Sequence, residues 1–497
     1  MFNKRRPAQA AAGNSIIDGV IWKQLLIFFF PILLGTFFQQ LYNTADAIIV
    51  GKYVGKEALA AVGGATGNLI NLIVGFFVGL SSGATVIISQ FFGGRREQEV
   101  SAAVHTAAAL ALAGGLVLSV LGIMFSPTLL RWMGTPEDVM GHAVTYIRIY
   151  FAGMIPNLIY NIGSGVLRAV GDSRRPLYFL ICACMVNILL DVLLVLGLEM
   201  GVAGAALATI FSQAVSAVLV VLTLARSNYA YRLELRKIRF HMDLLGRIVR
   251  IGLPAGLQSV MYSLSNVIIQ ASVNGFGTDI LAAWTAYGKL DGLYWMTVNA
   301  FGVAITTFVG QNFGAQRYDR VKKSVRACLG MTVLATAIIS TVLLLFGETL
   351  YRLFSDDSEV IRLGLVILRL LVPTYLTYIC IEVLAGAVRG AGDSLIPTLI
   401  TLCGVCLLRV VWVMAIAQHT TASPSCCSAT PSPGPSLPCF SSATTSRAAG
   451  SSAASVKRDS PSRKAHHNRR SDLGGFCTVQ VFLRFFCPRA GMHTAAA

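Results

Sequence analysis

The sequence predicts an all-α polytopic membrane protein of two pseudo-symmetric six-helix lobes, with twelve transmembrane helices intended and about eleven present. Three observations carry this. Of the 497 residues 55% are hydrophobic and 13% charged, and the mean hydropathy is +0.67, which is too apolar for a soluble domain. Apolar stretches of about 20 residues, enough to cross a bilayer, recur from Trp22 to Gln418 with short polar breaks. A motif of the first half also returns in the second. "LRAVGDSRRP" (Leu167 to Pro176) recurs as "VRGAGDSLIP" (Val388 to Pro397), and "SQFFGGRR" (Ser89 to Arg96) as "GQNFGAQR" (Gly310 to Arg317), both at an offset of 221. Pro31 and Asn43 meet Pro254 and Asn266 at a nearby offset of 223.

A short cytoplasmic segment, residues 1–21, resembles the start of a signal peptide, but the apolar run behind it holds Gln39, Asn43 and Asp46 and has no convincing cleavage site. It reads as a retained first helix. The first lobe, residues 22–225, supplies spans near Trp22–Val50, Leu59–Phe92, Val100–Phe125, Val139–Leu167, Leu177–Leu198 and Val202–Leu224. A basic linker, residues 226–242, leads to the second lobe, residues 243–418, with spans near Leu244–Val273, Ile280–Phe313, Val321–Phe346, Val360–Val388 and Leu395–Gln418. An even number of crossings in the first half gives both halves one orientation, related by an axis along the membrane normal.

The repeat calls for a further span near residues 423–445, where "SPSCCSATPSPGPSLPCFSSATTSRAAG" stands instead. Residues 419–497 are rich in Ser, Pro and Arg and hold five of the 11 cysteines, a composition expected to be disordered. The abrupt loss of pattern suggests a frameshift-like C-terminus, with a genuine regulatory tail as the alternative. The remaining cysteines lie in or beside spans with no metal-like spacing, and "CGVC" (Cys403 to Cys406) reads as helix packing.

The formal charge of +17 does not point to nucleic acid, because the bases are neither gathered on one face nor interleaved with aromatics. They lie in alternate loops, at Arg95/Arg96, Arg168/Arg174/Arg175, Arg232 to Arg250, Arg317 to Arg326 and Arg389, while most intervening loops, such as "GTPEDV", "GLEMG" and "GETLYRLFSDDSE", are neutral or acidic. That pattern puts the N-terminus and the basic loops in the cytoplasm. No phosphate-binding loop or zinc motif occurs, so the chain is expected not to be an enzyme.

What remains is a set of polar groups inside spans, where a carboxylate costs about 2.5 to 3.5 kcal/mol and marks an ion or substrate path by default. Tyr42 and Asp46 are four apart and share one face of span 1, and Asn187 and Asp191 repeat that spacing on span 5. Thr209 lies on span 6. If these spans meet, their oxygens form a candidate cation-coupling site, suited either to Na+ held by Asp46, Asn187, Asp191 and Thr209 or to protons; the residues do not separate the two. The repeat replaces Asp46 by Ile269 and Asp191 by Trp412, so such a site is expected once, in the first lobe. Gln39, Asn43, Lys289, Asp291, Glu382 and Arg409 are candidates for the substrate path, and the charged ones among them alternatively for internal ion pairs.

"FFPILLGTFFQQLYNTADAIIVG", "GATVIISQFFGG", the paired "RAVGDS" and "RGAGDS" loops and "AAWTAYGKLDGLYWMTVNAFGVAITTFVGQNFGA" resemble the multidrug and toxic compound extrusion (MATE) family over roughly Trp22 to Gln418. The resemblance implies a cation site on spans 1, 5 and 6, carried here by Asp46, Asn187, Asp191 and Thr209 with Tyr42 beside them. It also implies exchange of Na+ or H+ for cationic, amphiphilic small molecules through a cavity between the lobes. The expected setting is the bacterial cytoplasmic membrane, as a monomer with no cofactor. The alternatives are a lipid or lipid-linked saccharide flippase of the same superfamily, which tends to have a cationic cavity, and an inactive truncated remnant.

Overall fold

The computed structural model describes residues 15–274 and 278–407; the proposed tail, Arg409 and Trp412 lie outside the described residues. Among the described residues every regular element is helical. A short α1 (Ser15–Asp18) precedes α2 (Ile21–Tyr53), α3 (Lys56–Gly63), α4 (Ala65–Gly93), α5 (Glu97–Trp132), α6 (Glu137–Ala152), α7 (Met154–Ala169), α8 (Arg174–Asp191) and α9 (Gly201–Ala225). The second lobe contributes α10 (Met242–Asn274), α11 (Thr278–Gly314), α12 (Tyr318–Leu345), α13 (Gly347–Arg352), α14 (Ser358–Leu371), α15 (Tyr375–Gly390) and α16 (Leu395–Thr401).

Eight helical stretches among the described residues are long and apolar enough to cross a membrane, with the shorter Leu395–Leu407 beside them. Several expected spans, some of them among these eight, are irregular for local reasons. The span expected over Val139–Leu167 is two helices that meet at Gly153, where a Cβ would run into the Ile210 side chain of α9. The span expected over Val360–Val388 narrows to a 3-10 turn at Val372–Thr374, where Pro373 removes a backbone donor. The stretch expected as one span from Leu59 is interrupted at Gly64. The span with Asn187 and Asp191 ends in a wider π turn over Val192–Gly197. α10 is long enough, but Gln258, Asn266 and Gln270 make it more polar than its neighbours.

The Gly-Asp-Ser turns are built as their residue types require. Gly171 and Gly392 take φ of 96° and 104°, a left-handed backbone that favours glycine. Asp172 Oδ1 then accepts from the N–H groups of Arg174 and Arg175, and Asp393 Oδ1 from those of Leu395 and Ile396, which starts α8 and α16.

Each repeat lends the first half of its opening helix to the other. Leu25, Phe28 and Phe29 of α2 pack with Phe301 and Phe308 of α11, Phe29 stacking on Phe301 at 4.0 Å. Beyond Pro31 the same helix turns to the first lobe, with Gly35 against Leu180 of α8 and Tyr42 and Asp46 buried. α10 does the reverse. Its first half lies along α4, where a Cβ on Gly79 would sit 2.5 Å from the Gly256 backbone and one on Gly256 would meet the Phe76 carbonyl at 2.6 Å. Small residues let the helices approach this closely. Past Pro254, Gln258 donates to Thr401 at 3.2 Å and Tyr262 bonds Tyr378 at 2.9 Å, both in the second lobe.

The linker is fastened rather than loose. His105 of α5 donates from Nδ1 to the Ser101 carbonyl at 2.6 Å and accepts at Nε2 from the Glu234 N–H at 3.1 Å. Tyr231 and Leu233 are buried in the first-lobe core. At the N-terminus, Asp18 pairs with Arg317 at 2.9 Å and Arg320 donates to the carbonyls of Ile16 and Gly19, which ties α1 to the start of α12.

Candidate functional site

The second half of α2 presents Tyr42 and Asp46 on one face because four residues make little more than one turn. The last turns of α8 present Asn187 and Asp191 in the same way, and the helix widens immediately after Asp191, a departure common at functional sites. α9 supplies Thr209. The helices meet, and all five side chains are buried, Asn187 and Asp191 completely. The Thr209 hydroxyl lies 3.1 Å from Asp46 Oδ2. Asp191 and Asn187 stand within interaction range of Asp46, but without the geometry of a hydrogen bond.

Four oxygens of this cluster, Asp46 Oδ1, both carboxylate oxygens of Asp191 and Asn187 Oδ1, have no hydrogen-bond partner among the described residues. Buried polar oxygens left without a donor are costly, more so when charged. The set therefore fits a ligand that supplies positive charge: a hard cation that accepts carboxylate, amide and hydroxyl oxygens, or a proton shared between the carboxylates. No group of three or more His, Cys, Asp or Glu side chains placed to hold a metal ion occurs among the described residues, so the donors here are mixed.

Two residues of this site went unforeseen. Tyr146 and Tyr150 of α6 are buried and stack on each other at 6.3 Å, Tyr146 within electrostatic reach of Asp46, Asp191 and Tyr42. Their signal was present in "VTYIRIYFA", two tyrosines on one helical face. Gln39 and Asn43 are exposed, although they fall on the same helical stripe of α2 as Tyr42 and Asp46, with Gln39 beside Tyr42.

The second lobe gathers a separate acidic cluster. Asp291 of α11 accepts from Tyr375 at 2.6 Å and Tyr287 at 3.3 Å through Oδ1, and from the Trp295 indole at 2.8 Å through Oδ2. Tyr294 stacks on Tyr375 at 3.8 Å. Tyr378 donates to Glu382 at 3.3 Å and contacts Trp295 edge-on at 4.6 Å, so the two carboxylates share one aromatic wall. Lys289 is exposed. The wall was readable as Tyr287, Asp291 and Trp295 at successive intervals of four, and Tyr375, Tyr378 and Glu382 at three and four. Ile269, which the repeat sets where Asp46 stands, is buried in α10 and brings no charge.

Comparison with known proteins agrees with the repeat. The MatE family model matches residues 31–193 and again 254–414, two stretches that begin at Pro31 and Pro254. The chain is 27% identical over 407 residues to "Probable multidrug resistance protein YoeA" of Bacillus subtilis (strain 168), covering 80% of this chain and 88% of the relative. It is 29% identical over 393 residues to "Probable multidrug resistance protein YpnP" of the same organism, covering 79% and 87%. Among solved structures it shares the fold of an outward-facing multidrug resistance MATE transporter of the MOP superfamily, with a TM-score of 0.76 at 22% identity over 82% of this chain and 91% of that one. A MOP superfamily transporter from Pyrococcus furiosus matches with a TM-score of 0.76 at 23% identity over the same shares, 82% and 91%. With its helical repeat matched twice by one family model, this chain belongs to the MATE family of multidrug efflux transporters.

Proposed function

We propose that the chain is a secondary active antiporter that exports cationic, amphiphilic small molecules in exchange for Na+ or H+, working in the cell membrane as a monomer with its N-terminus and basic loops in the cytoplasm. The single observation behind this reading is the meeting of Asp46 and Asp191, both buried, beside Thr209 and Asn187. In this reading Asp46 and Asp191 take up the coupling cation and Asn187 and Thr209 orient them. Tyr42, Tyr146 and Tyr150 keep water from the pair.

α2 supplies a route from this site to the rest of the molecule. Its first half is anchored in the second lobe by the Phe29–Phe301 stack, and its second half carries Asp46 in the first. A change of charge at Asp46 alters the packing of a helix that belongs to both lobes, and the lobes then rock around the space between them. The aromatic wall around Asp291 and Glu382 suits an organic cation, since ring faces and carboxylates both attract positive charge. An acidic cluster at Asp291 and Glu382 speaks against the flippase alternative, which calls for a cationic cavity.

The test is efflux of a cationic fluorescent dye from vesicles holding the full chain, under imposed Na+ and pH gradients in turn, with Asp46→Asn beside it. Gradient-driven movement that the variant stops supports the reading, and the responding gradient names the ion. Equal efflux by the variant removes Asp46 from the coupling role.

A further inference from the structure

We propose that Gln90 and Gln311 form a reciprocal latch that holds the basic end of the membrane domain shut, and that this latch must part in each transport cycle. Gln90, near the end of α4 in the first repeat, donates from Nε2 to the carbonyl of Gly390 at 2.9 Å, at the end of α15 in the second. Gln311, near the end of α11 in the second repeat, donates to the carbonyl of Ala169 at 2.7 Å, at the end of α7 in the first. Donor and acceptor in one bond differ from their counterparts in the other by the same 221 residues as the sequence repeat. The same contact is thus made twice about the pseudo-twofold axis, and each time it crosses between the repeats.

The acceptors are groups that their own helices leave free. The last carbonyls of a helix lack intrahelical donors. At the end of α7 the carbonyls of Val166, Leu167 and Arg168 accept from the N–H groups of Val170, Asp172 and Gly171, and Ala169 is passed over. At the end of α15 those of Ala387, Val388 and Arg389 accept from Ala391, Asp393 and Gly392, and Gly390 is passed over. Each skipped carbonyl is capped by a glutamine of the other repeat.

The surrounding glycines fit this arrangement. A Cβ on Gly392 would stand 3.2 Å from Gln90 Nε2, and one on Gly171 would stand 3.8 Å from Gln311 Nε2. A Cβ on Gly93 would overlap the Gln311 carbonyl, and one on Gly314 the Gln90 carbonyl, so α4 and α11 cross in direct contact between the two bonds. Because both bonds join neutral amides to carbonyls, each has only modest net strength against water. That suits a closure that must open.

The latch rests on the alternating-access reading above, and the test separates the two. Donor and acceptor fluorophores are placed by unnatural-amino-acid incorporation at Arg174 and Leu395, both exposed and on the two Gly-Asp-Ser turns of opposite repeats. Their separation is read in single full-length molecules in liposomes, with and without dye and cation gradients. Gln90→Ala and Gln311→Ala are each expected to raise the ratio of wide to narrow separations roughly two- to tenfold, the range for one hydrogen bond. Gln98→Ala, on the exposed start of α5, is expected to leave it unchanged. Because Gln311 is fully buried, its variant is read beside thermal unfolding; Gln90 is half-buried and carries the test alone if Gln311→Ala does not fold. Two separations in the unmodified chain with an unchanged ratio in Gln90→Ala overturn the latch. A single separation in every variant and under every gradient overturns alternating access, and the latch with it.

Discussion

The Thr209 hydroxyl faces two acceptors at nearly equal range, Asp46 Oδ2 at 3.1 Å and the carbonyl of Ala205 in its own helix at 3.0 Å. One hydroxyl proton serves only one acceptor well at a time. When Asp46 is charged the proton belongs with the carboxylate, and when a cation or proton satisfies Asp46 it is free to return to Ala205. Thr209 therefore joins the charge state of α2 to the backbone of α9. Thr209→Val is expected to lower gradient-driven dye efflux and to destabilise the chain by about 1 to 3 kcal/mol, the cost of leaving a buried acceptor unpaired. Thr209→Ser restores both. Thermal unfolding in detergent beside the vesicle assay measures this, and equal loss in Thr209→Ser would show that the methyl group matters and not the hydroxyl.

Asp46→Asn and Asp191→Asn each remove a buried carboxylate that is short of donors, Asp46 at Oδ1 and Asp191 at both oxygens, so folding is expected to survive. If the site takes Na+, salt raises the melting temperature of the unmodified chain through binding to the native state, and both variants lose that increment. The comparison is made between NaCl and choline chloride at matched ionic strength. An undiminished Na+ increment in both variants would place the Na+ site elsewhere.

Asp291 is held by two tyrosines and a tryptophan. Tyr375→Phe removes its 2.6 Å bond and is expected to cost about 1 to 3 kcal/mol of stability, since hydrogen bonds to charged groups are the stronger kind. Asp291→Asn is expected to weaken binding of a cationic dye about tenfold, the loss of one favourable charge at short range. Fluorescence titration of purified protein checks the second expectation, and unaltered affinity would assign the cluster to structure alone.

Gly79 leaves no room for a side chain against Gly256. Gly79→Val is expected to force α4 and α10 apart at a cost of about 1 to 3 kcal/mol, in line with overpacked interiors. Gly246→Ala, at a position with open space around it, is expected to be neutral or slightly stabilising. Thermal unfolding of the two variants side by side decides, and equal stabilities would mean that the lobes yield at this contact.

Apolar length, loop charge and the internal repeat belong to the chain itself, so the helical membrane class and the pairing of the halves are legible in the amino-acid order alone. So are Asp46 and Asp191, because a carboxylate inside an apolar run stands out whatever it touches. Tertiary structure alone decided that α2 and α10 each cross into the opposite lobe, that Tyr146 comes within electrostatic reach of Asp46, and that Gln90 and Gln311 reach skipped carbonyls in the other repeat. The reason is one of range. Hydrophobicity and helical periodicity act over a few turns, whereas Thr209 meets Asp46 across 163 residues and Gln90 meets Gly390 across 300. Which face meets which is settled only when close packing at positions such as Gly79, Gly93 and Gly153 selects one arrangement of the helices.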